Sequence, residues 1–150
     1  MSSDKNTEKK LVCAVRIRGQ TGIRGDIKKT LEMLRLYKAN FCIVRDASDS
    51  VKGMLYKCKD FITYGEIDEK TYDELVKTHG EEYTGRVTDS KGKIQYNKYI
   101  TIDGKKIKPF FRLNPPRKGF ERKGIKMPFN QGGALGYRGE KIADLVKRMI

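Results

Sequence analysis

The chain is poor in the residue types that most often carry chemistry. It has no tryptophan, a single histidine and three cysteines among 150 residues. His79 lies in Lys-Thr-His-Gly with no candidate nucleophile beside it, so a histidine-centred catalytic triad is disfavoured. Cys13, Cys42 and Cys58 are odd in number and too widely spaced for a zinc knuckle or a disulfide scaffold. Because the common hydrolase and nucleotide-binding motifs are also absent, we expect no catalysis, cofactor or metal.

Long apolar runs are lacking as well, and basic residues outnumber acidic ones. No stretch approaches the roughly 18 apolar residues of a membrane span, and Met1 to Lys10 lacks the apolar run of a secretory signal. We therefore expect a cytoplasmic protein that contacts no membrane. Lys and Arg number 33 against 19 Asp and Glu, which leaves a net charge of +14. Such an excess repels itself in the isolated chain and favours a polyanionic partner, with nucleic acid as the first candidate.

The positive charge is unevenly distributed along the chain. Residues 1–67 carry a net +6, residues 68–90 a net −4 and residues 91–150 a net +12. The last segment is therefore expected to make much of the contact with a polyanion. The acidic middle segment is expected to point away from phosphate.

The first 67 residues predict alternating strands and helices after a mobile tail at residues 1–10. We expect strands at about 11–17, 41–45 and 61–67, one helix from Gly25 to Lys38 and a second beginning at Ser48 or Asp49. Leu11 and the alternate residues after it are apolar, which favours a sheet covered on one side only. Strands joined by helices would, from the pattern alone, be parallel neighbours.

The remainder of the chain predicts a more irregular structure. Asp68 is expected to cap a third helix that stops at Gly80, and residues 81–95 to form a loop or an irregular excursion. Asp103-Gly104 indicates a tight hairpin between Tyr99 and Lys108. Residues 110–136 are rich in proline, glycine and cations and predict an extended arm, followed by a helix over 139–150.

Two glycine-rich loops and the basic arm are candidate phosphate-binding segments. The loop Gly19 to Gly25 links a strand to a helix and either holds phosphate at the helix start or only makes the turn. The segment 132–139 repeats this arrangement before the final helix. The run from Pro115 to Lys126 either follows a polyanion or is a disordered linker. Phe120 and Phe129 either anchor this arm on the protein or stack on unpaired bases, and anchoring is favoured.

Several short motifs resemble one family of large-subunit ribosomal proteins, numbered thirty in bacteria and seven in eukaryotes. These motifs are Gly22-Ile-Arg24, Thr30-Leu-Glu-Met-Leu34 and Gly53-Met-Leu55 with Lys57 and Lys59. Asn114-Pro-Pro-Arg-Lys-Gly and Gly132-Gly-Ala-Leu-Gly-Tyr resemble the extension of archaeal and eukaryotic members, and the lack of a longer basic N-terminal arm favours an archaeal source.

The resemblance implies an α+β fold with a β-α-β-α-β body at residues 11–67 and an extension at residues 68–150 that is packed on the body. The body would hold a three-stranded, mostly antiparallel sheet with both helices on one face. The implied partners are large-subunit ribosomal RNA, a neighbourhood shared with 5S RNA, and adjacent ribosomal proteins, without self-association. The resemblance carries over no catalytic site.

We predict RNA contacts from the cations of the body and arm and from one loop glycine. They are Arg16, Arg18, Gly22, Arg24, Lys28, Arg45, Lys57 and Lys59 on the body, and Arg112, Arg117, Lys118, Arg122, Lys123, Lys126 and Arg138 on the arm. Two other interpretations stay open on the sequence. One is an RNA- or DNA-binding protein outside the ribosome, and the other is an enzyme acting on phosphate esters.

Overall fold

The computed structural model describes residues 10–19, 21–85, 88–93, 99–102 and 104–150. Its strands are β1 (Leu11–Arg16), β2 (Phe41–Asp46), β3 (Ile62–Ile67), β4 (Ile100–Ile102), β5 (Lys105–Ile107), β6 (Phe111–Arg112) and β7 (Gly136–Tyr137). Its helices are α1 (Gly25–Met33), α2 (Asp49–Lys57), α3 (Glu69–His79) and α4 (Ile142–Met149). The predicted tail lies outside the described residues except for Lys10, as do parts of the predicted loop at 81–95.

The main sheet has the order β6-β2-β1-β3-β7, and the fold is mixed α+β as expected. β1 lies at the centre and pairs antiparallel with both β2 and β3, so the parallel pairing expected from the pattern alone is wrong. After α1, residues 34–40 lead the chain back to the C-terminal end of β1, and β2 begins there. The sheet is wider than three strands, because β6 pairs antiparallel with β2 and β7 pairs parallel with β3.

Helices cover both faces of this sheet, so the expected one-sided sheet is wrong. Val12 and Ala14 of β1 pack with Leu31 of α1 and Leu55 of α2. The alternate residues, which include Cys13, face a second core built mainly by α3 and α4. The pattern of β1 alone could not reveal this second layer, because the helices that cover it come more than fifty residues later.

The helix starts follow the capping signals of the sequence. The Ser48 hydroxyl accepts a hydrogen bond from the Val51 amide at 3.3 Å, and Asp68 accepts one from the Thr71 amide at 3.3 Å. The end of α1 was not predicted correctly, since the helix stops at Met33 rather than Lys38. Arg35 takes a left-handed conformation there (φ 63°), a position at which glycine is the usual signal.

The C-terminal segment packs on the body through β6, β7 and α4. Phe111, Leu113, Ala134 and Leu135 of this segment are buried. The four apolar residues on the inner face of α4 are also buried, namely Ile142, Leu145, Val146 and Met149. The expected hairpin is confirmed by the pairing of β4 with β5 from Ile100↔Ile107 to Ile102↔Lys105, although Asp103 of its turn lies outside the described residues.

Candidate nucleic-acid interface

The buried Arg16 organises the loop that follows β1. Its side chain donates from Nη1 to the Leu36 carbonyl at 2.7 Å, from Nε to the Arg18 carbonyl at 3.0 Å and from Nη2 to the Gly19 carbonyl at 3.3 Å. Burial lowers the pKa of this guanidinium, and a nearby Cys58 thiol opposes the shift. Arg16 is 3% exposed, so the structure gives it an internal role in place of the RNA contact expected from the sequence.

The loop leads into α1 through Gly22 and Arg24, both of which are exposed. Gly22 has a φ of +75°, a conformation that side chains with a Cβ rarely adopt. The Asp26 carboxylate accepts the Ile27 amide at 3.0 Å and lies 3.5 Å from Nε of Arg24 and 4.0 Å from Nζ of Lys57. Exposed ion pairs of this kind contribute only about 0.2–1 kcal/mol, so both cations can exchange Asp26 for another anion.

The start of β3 lies against the end of β1 and adds further cations. The amides of Ile17 and Arg18 donate to the Phe61 carbonyl at 3.0 and 3.2 Å. The Arg18 guanidinium lies 5.2 Å from the centre of the Phe61 ring, and Nζ of Lys59 lies 4.6 Å from the centre of the Tyr56 ring. We refer to the cations at this end of the sheet as the body cluster. It consists of Arg18, Arg24, Lys28, Lys57 and Lys59.

Arg45 lies apart from the body cluster. It is paired with Val12 near the start of β1, and its Nη2 donates to the Met33 carbonyl at the end of α1 over 3.4 Å. Burial lowers the pKa of Arg45, and the neighbouring Arg35 lowers it further. The structure therefore does not bring Arg45 together with the other predicted body cations.

Arg138 fastens the arm to the sheet. Its guanidinium donates to the Thr63 hydroxyl at 2.8 Å, to the Ala134 carbonyl at 3.0 Å and to the Glu121 carboxylate at 3.0 Å. The same group lies 4.7 Å from the centre of the Phe129 ring. Burial lowers the pKa of Arg138, and Glu121 opposes the shift. With its side chain only 1% exposed, Arg138 uses its guanidinium within the protein, whereas the sequence predicted a surface contact with RNA.

Other predicted cations of the arm are exposed. Within the described ranges none of these five side chains forms a salt bridge, so their charges are available to a ligand. We refer to them as the arm cluster. It consists of Arg117, Lys118, Arg122, Lys123 and Lys126.

Arg112 is exposed but already has a partner. Its Nε lies 2.5 Å from one oxygen of Glu81, and Nζ of Lys108 lies 3.0 Å from the other. Partial burial on its own raises the pKa of Glu81, but the hydrogen bonds from the two cations lower it below its ordinary value. Glu81 thus ties the segment that follows α3 to β6.

Contacts between the arm and the body bring the two clusters to the same end of the sheet. Ile17, which follows β1, packs with Ala134 and Leu135 and with Phe120 of the arm. This packing places Phe120 as an anchor, the alternative that the sequence favours. Lys59 of the body cluster and Lys126 of the arm cluster line one groove of about 510 Å³.

Three tyrosines in that groove were missed by the sequence analysis. Tyr56 comes from α2, whereas Tyr64 of β3 and Tyr137 of β7 are direct partners on adjacent strands. The rings of Tyr64 and Tyr137 have their centres 5.5 Å apart. We refer to this feature as the tyrosine groove. The sequence shows an aromatic residue, Tyr137, directly after Gly136. It does not show that Tyr137 pairs with Tyr64 on another strand, because that pairing depends on the fold.

Metal-binding clusters and membrane-spanning helices are absent from the described residues. No group of three or more His, Cys, Asp or Glu side chains among them could hold a metal ion. No helix in the same part of the chain is long and apolar enough to cross a membrane. His79, the histidine considered above, has a buried Nε2 with no hydrogen-bond partner among the described residues.

Sequence comparison relates the chain to ribosomal proteins. A family profile described as "Ribosomal protein L30p/L7e" matches residues 14–62. The chain is 44% identical to "Large ribosomal subunit protein uL30" of Nanoarchaeum equitans, a match that covers 93% of this chain and 99% of that protein. It is 42% identical to the protein of the same name from Methanopyrus kandleri, over 89% of this chain and 100% of the relative. The likeness therefore extends well beyond the body into residues 68–150.

Proposed function

The chain belongs to the L30p/L7e family of ribosomal proteins, and we propose that it is a structural constituent of the large ribosomal subunit in the cytoplasm. In this proposal its exposed cations bind ribosomal RNA and hold RNA segments in position. The family is a structural class of proteins, and we further propose that the chain catalyses no reaction. The resemblance to archaeal members supports an archaeal-type role.

One observation carries the proposal of RNA binding. Lys59 of the body cluster and Lys126 of the arm cluster, which are distant in sequence, line the tyrosine groove together, and Ile17 at the end of β1 packs with Phe120 of the arm. The two buried arginines, Arg16 and Arg138, fix the loop and the arm that carry these cations. A fixed set of exposed cations favours a partner of high negative charge density over a small acidic ligand.

The mechanism is positioning by charge neutralisation. Arginine can bind a phosphate through two parallel hydrogen bonds, whereas lysine acts as a point charge. Such contacts fix the register and orientation of RNA but read no sequence by themselves. The proposed contact set is smaller than the set expected from the sequence, because Arg16 and Arg138 are internal. Gly22 contributes by allowing the exposed turn before Arg24.

Partners beyond the main RNA are proposed on the family resemblance. We propose that the bound region of the subunit adjoins 5S RNA. Neighbouring ribosomal proteins would contact the exposed acidic side chains of α3, which would be repelled by phosphate. No self-association is part of the proposal.

Sedimentation tests the assignment to the ribosome. Tagged protein expressed in its source cells should co-migrate with large subunits in a sucrose gradient and remain there after a high-salt wash. Recovery only in the soluble fraction would instead support a nucleic-acid-binding protein outside the ribosome. Turnover of phosphate esters by the pure protein, present in wild type and lost in Lys57→Ala, would support the enzymatic alternative.

Salt titration tests the mechanism. If about six to ten of the exposed cations neutralise phosphates, the affinity for large-subunit RNA should fall by some three to five orders of magnitude between 50 and 200 mM salt. A complex whose affinity does not change with salt would contradict charge neutralisation as the source of binding.

A further inference from the structure

We propose that the tyrosine groove receives an unpaired nucleotide of the bound RNA, with its base stacked on exposed tyrosine rings. The inference rests on the proposed function, since it names the part of the RNA that this site would take. The groove lies where the body cluster and the arm cluster meet. A nucleotide held there would fix the RNA more closely than phosphate contacts alone.

The aromatic side chains of the groove are accessible to a base. Tyr56 is 64% exposed and Tyr137 is 56% exposed, although tyrosine has a large apolar ring that favours burial. The Tyr137 ring is tilted 51° from the ring of Tyr64, which is half-buried beside it. Because both rings belong to paired strands, a flat base can lie against a surface whose position is set by the sheet.

The polar side chains around the rings match the other parts of a nucleotide. Lys59 and Lys126 supply positive charge for the phosphate. The amides of Asn130 and Gln131 offer donors and acceptors that suit the edge of a base. Asp60 supplies the acidic group of this lining. The groove thus combines aromatic faces, hydrogen-bonding groups and cations, which is the usual composition of a site for single-stranded RNA.

A second groove, also of about 510 Å³, adjoins the tyrosine groove and is lined by the same three tyrosines. It continues between the sheet and α2 toward Val12 and Leu55. The tyrosine rings are therefore accessible to a ligand over a surface longer than a single side chain. An apolar segment of a neighbouring protein would have to desolvate Lys59, Lys126 and the two amides, so the observed charge favours RNA over such a segment.

Variants of the two exposed tyrosines test the proposal. The full chain would be bound to a large-subunit ribosomal RNA transcript at several salt concentrations. Tyr56→Ala and Tyr137→Ala should each weaken binding about 5- to 100-fold, whereas Tyr56→Phe and Tyr137→Phe should keep the wild-type affinity. Met33→Ala removes a side chain that is 60% exposed on α1 and serves as the matched control outside the groove.

The salt dependence distinguishes stacking from charge. Tyr137→Ala should leave the slope of log affinity against log salt unchanged, because no phosphate contact is lost. Lys59→Ala and Lys126→Ala should each reduce that slope by about 1. Ultraviolet cross-linking of the wild-type complex should place a nucleotide adduct on at least one of the three tyrosines.

Two results would overturn the proposal. Wild-type affinity in both alanine variants, with normal salt-dependent RNA binding by the unaltered chain, would reject the nucleotide site and leave the proposed function in place. That result would point to a protein segment as the occupant of the groove. Failure of the unaltered chain to bind the transcript at any salt concentration would reject the proposed function as well.

Discussion

Arg138 donates from Nε to the hydroxyl of Thr63 over 2.8 Å, and this hydroxyl donates in turn to the Gly136 carbonyl over 3.0 Å. The chain of two hydrogen bonds joins β3 to the end of the arm, more than seventy residues later. Both side chains are buried, so water cannot replace either bond if its partner is removed.

Arg138→Ala should destabilise the fold by about 3 kcal/mol, because it leaves the buried Thr63 hydroxyl without its donor and Glu121 with only its longer ion pair to Arg148 at 3.4 Å. Urea unfolding followed by circular dichroism would measure the loss. Arg122→Ala, which removes an exposed cation of the same arm, is the control and should change the free energy of unfolding by about 0.5 kcal/mol or less. Equal loss in both variants would contradict the role assigned to Arg138.

Variants of Leu31 and Arg24 should distinguish a loss of fold stability from a loss of RNA binding. Leu31 is fully buried in the core beneath α1, so Leu31→Ala should cost about 2–5 kcal/mol of stability. Arg24→Ala should leave stability nearly unchanged and reduce the salt slope of RNA binding by about 1, because the Arg24 side chain is 80% exposed. Chemical denaturation and filter binding on the same preparations measure both quantities. Equal destabilisation by the two variants would make Arg24 a structural residue.

Glu81 should make stability depend on pH in the acidic range. Arg112 and Lys108 lower the pKa of Glu81 in the folded protein, so its ionised carboxylate stabilises the fold above the unfolded pKa of about 4.3. That contribution is lost as the pH falls through the lower folded pKa. The excess stability of wild type over Glu81→Gln should therefore be greatest near neutral pH and shrink on acidification.

Measurements of unfolding free energy between neutral pH and about pH 3 would follow this trend. Glu82→Gln alters an exposed neighbouring carboxylate and is the control variant. A difference between wild type and Glu81→Gln that grows toward low pH would have the wrong sign and would reject the ion pairs as its cause.

The cysteines should resist thiol reagents while the protein is folded. All three are fully buried, and burial raises the pKa of Cys58 to about 11. The hydrogen bond with Cys13, followed by burial, raises the pKa of Cys42 well above its usual value. Ellman's reagent should therefore react slowly with native protein at neutral pH and with three thiols after denaturation. Rapid reaction of any thiol in the folded state would contradict this arrangement.

Local patterns predicted the elements of the body well. Alternation located the three central strands, and Ser48 and Asp68 marked the starts of two helices. The end of α1 was missed because Arg35, with a side chain that disfavours the left-handed region, stands where glycine would have signalled the stop. Such a cap is stabilised by its surroundings, here by the hydrogen bond from the Leu36 amide to the Leu31 carbonyl at 3.0 Å.

The candidate site was predictable only in part. Charge and spacing located the exposed loop and the basic arm, and the exposed lysines and arginines there remain proposed contacts. The burial of Arg16 and Arg138 depends on carbonyl groups from distant segments, which no local pattern reveals. The tyrosine groove escaped notice for a similar reason, since the pairing of Tyr64 with Tyr137 is created by the fold.

The two short strands of the C-terminal segment, β6 and β7, affect how the protein behaves before it binds a partner. β6 and β7 occupy the outer margins of the main sheet, and each is only two residues long. Long unpaired margins recruit strands from other molecules and start aggregation. By pairing with Phe41–Cys42 of β2 and Thr63–Tyr64 of β3, the two strands shorten the unpaired margins of the sheet and reduce the template that other copies of the chain could join.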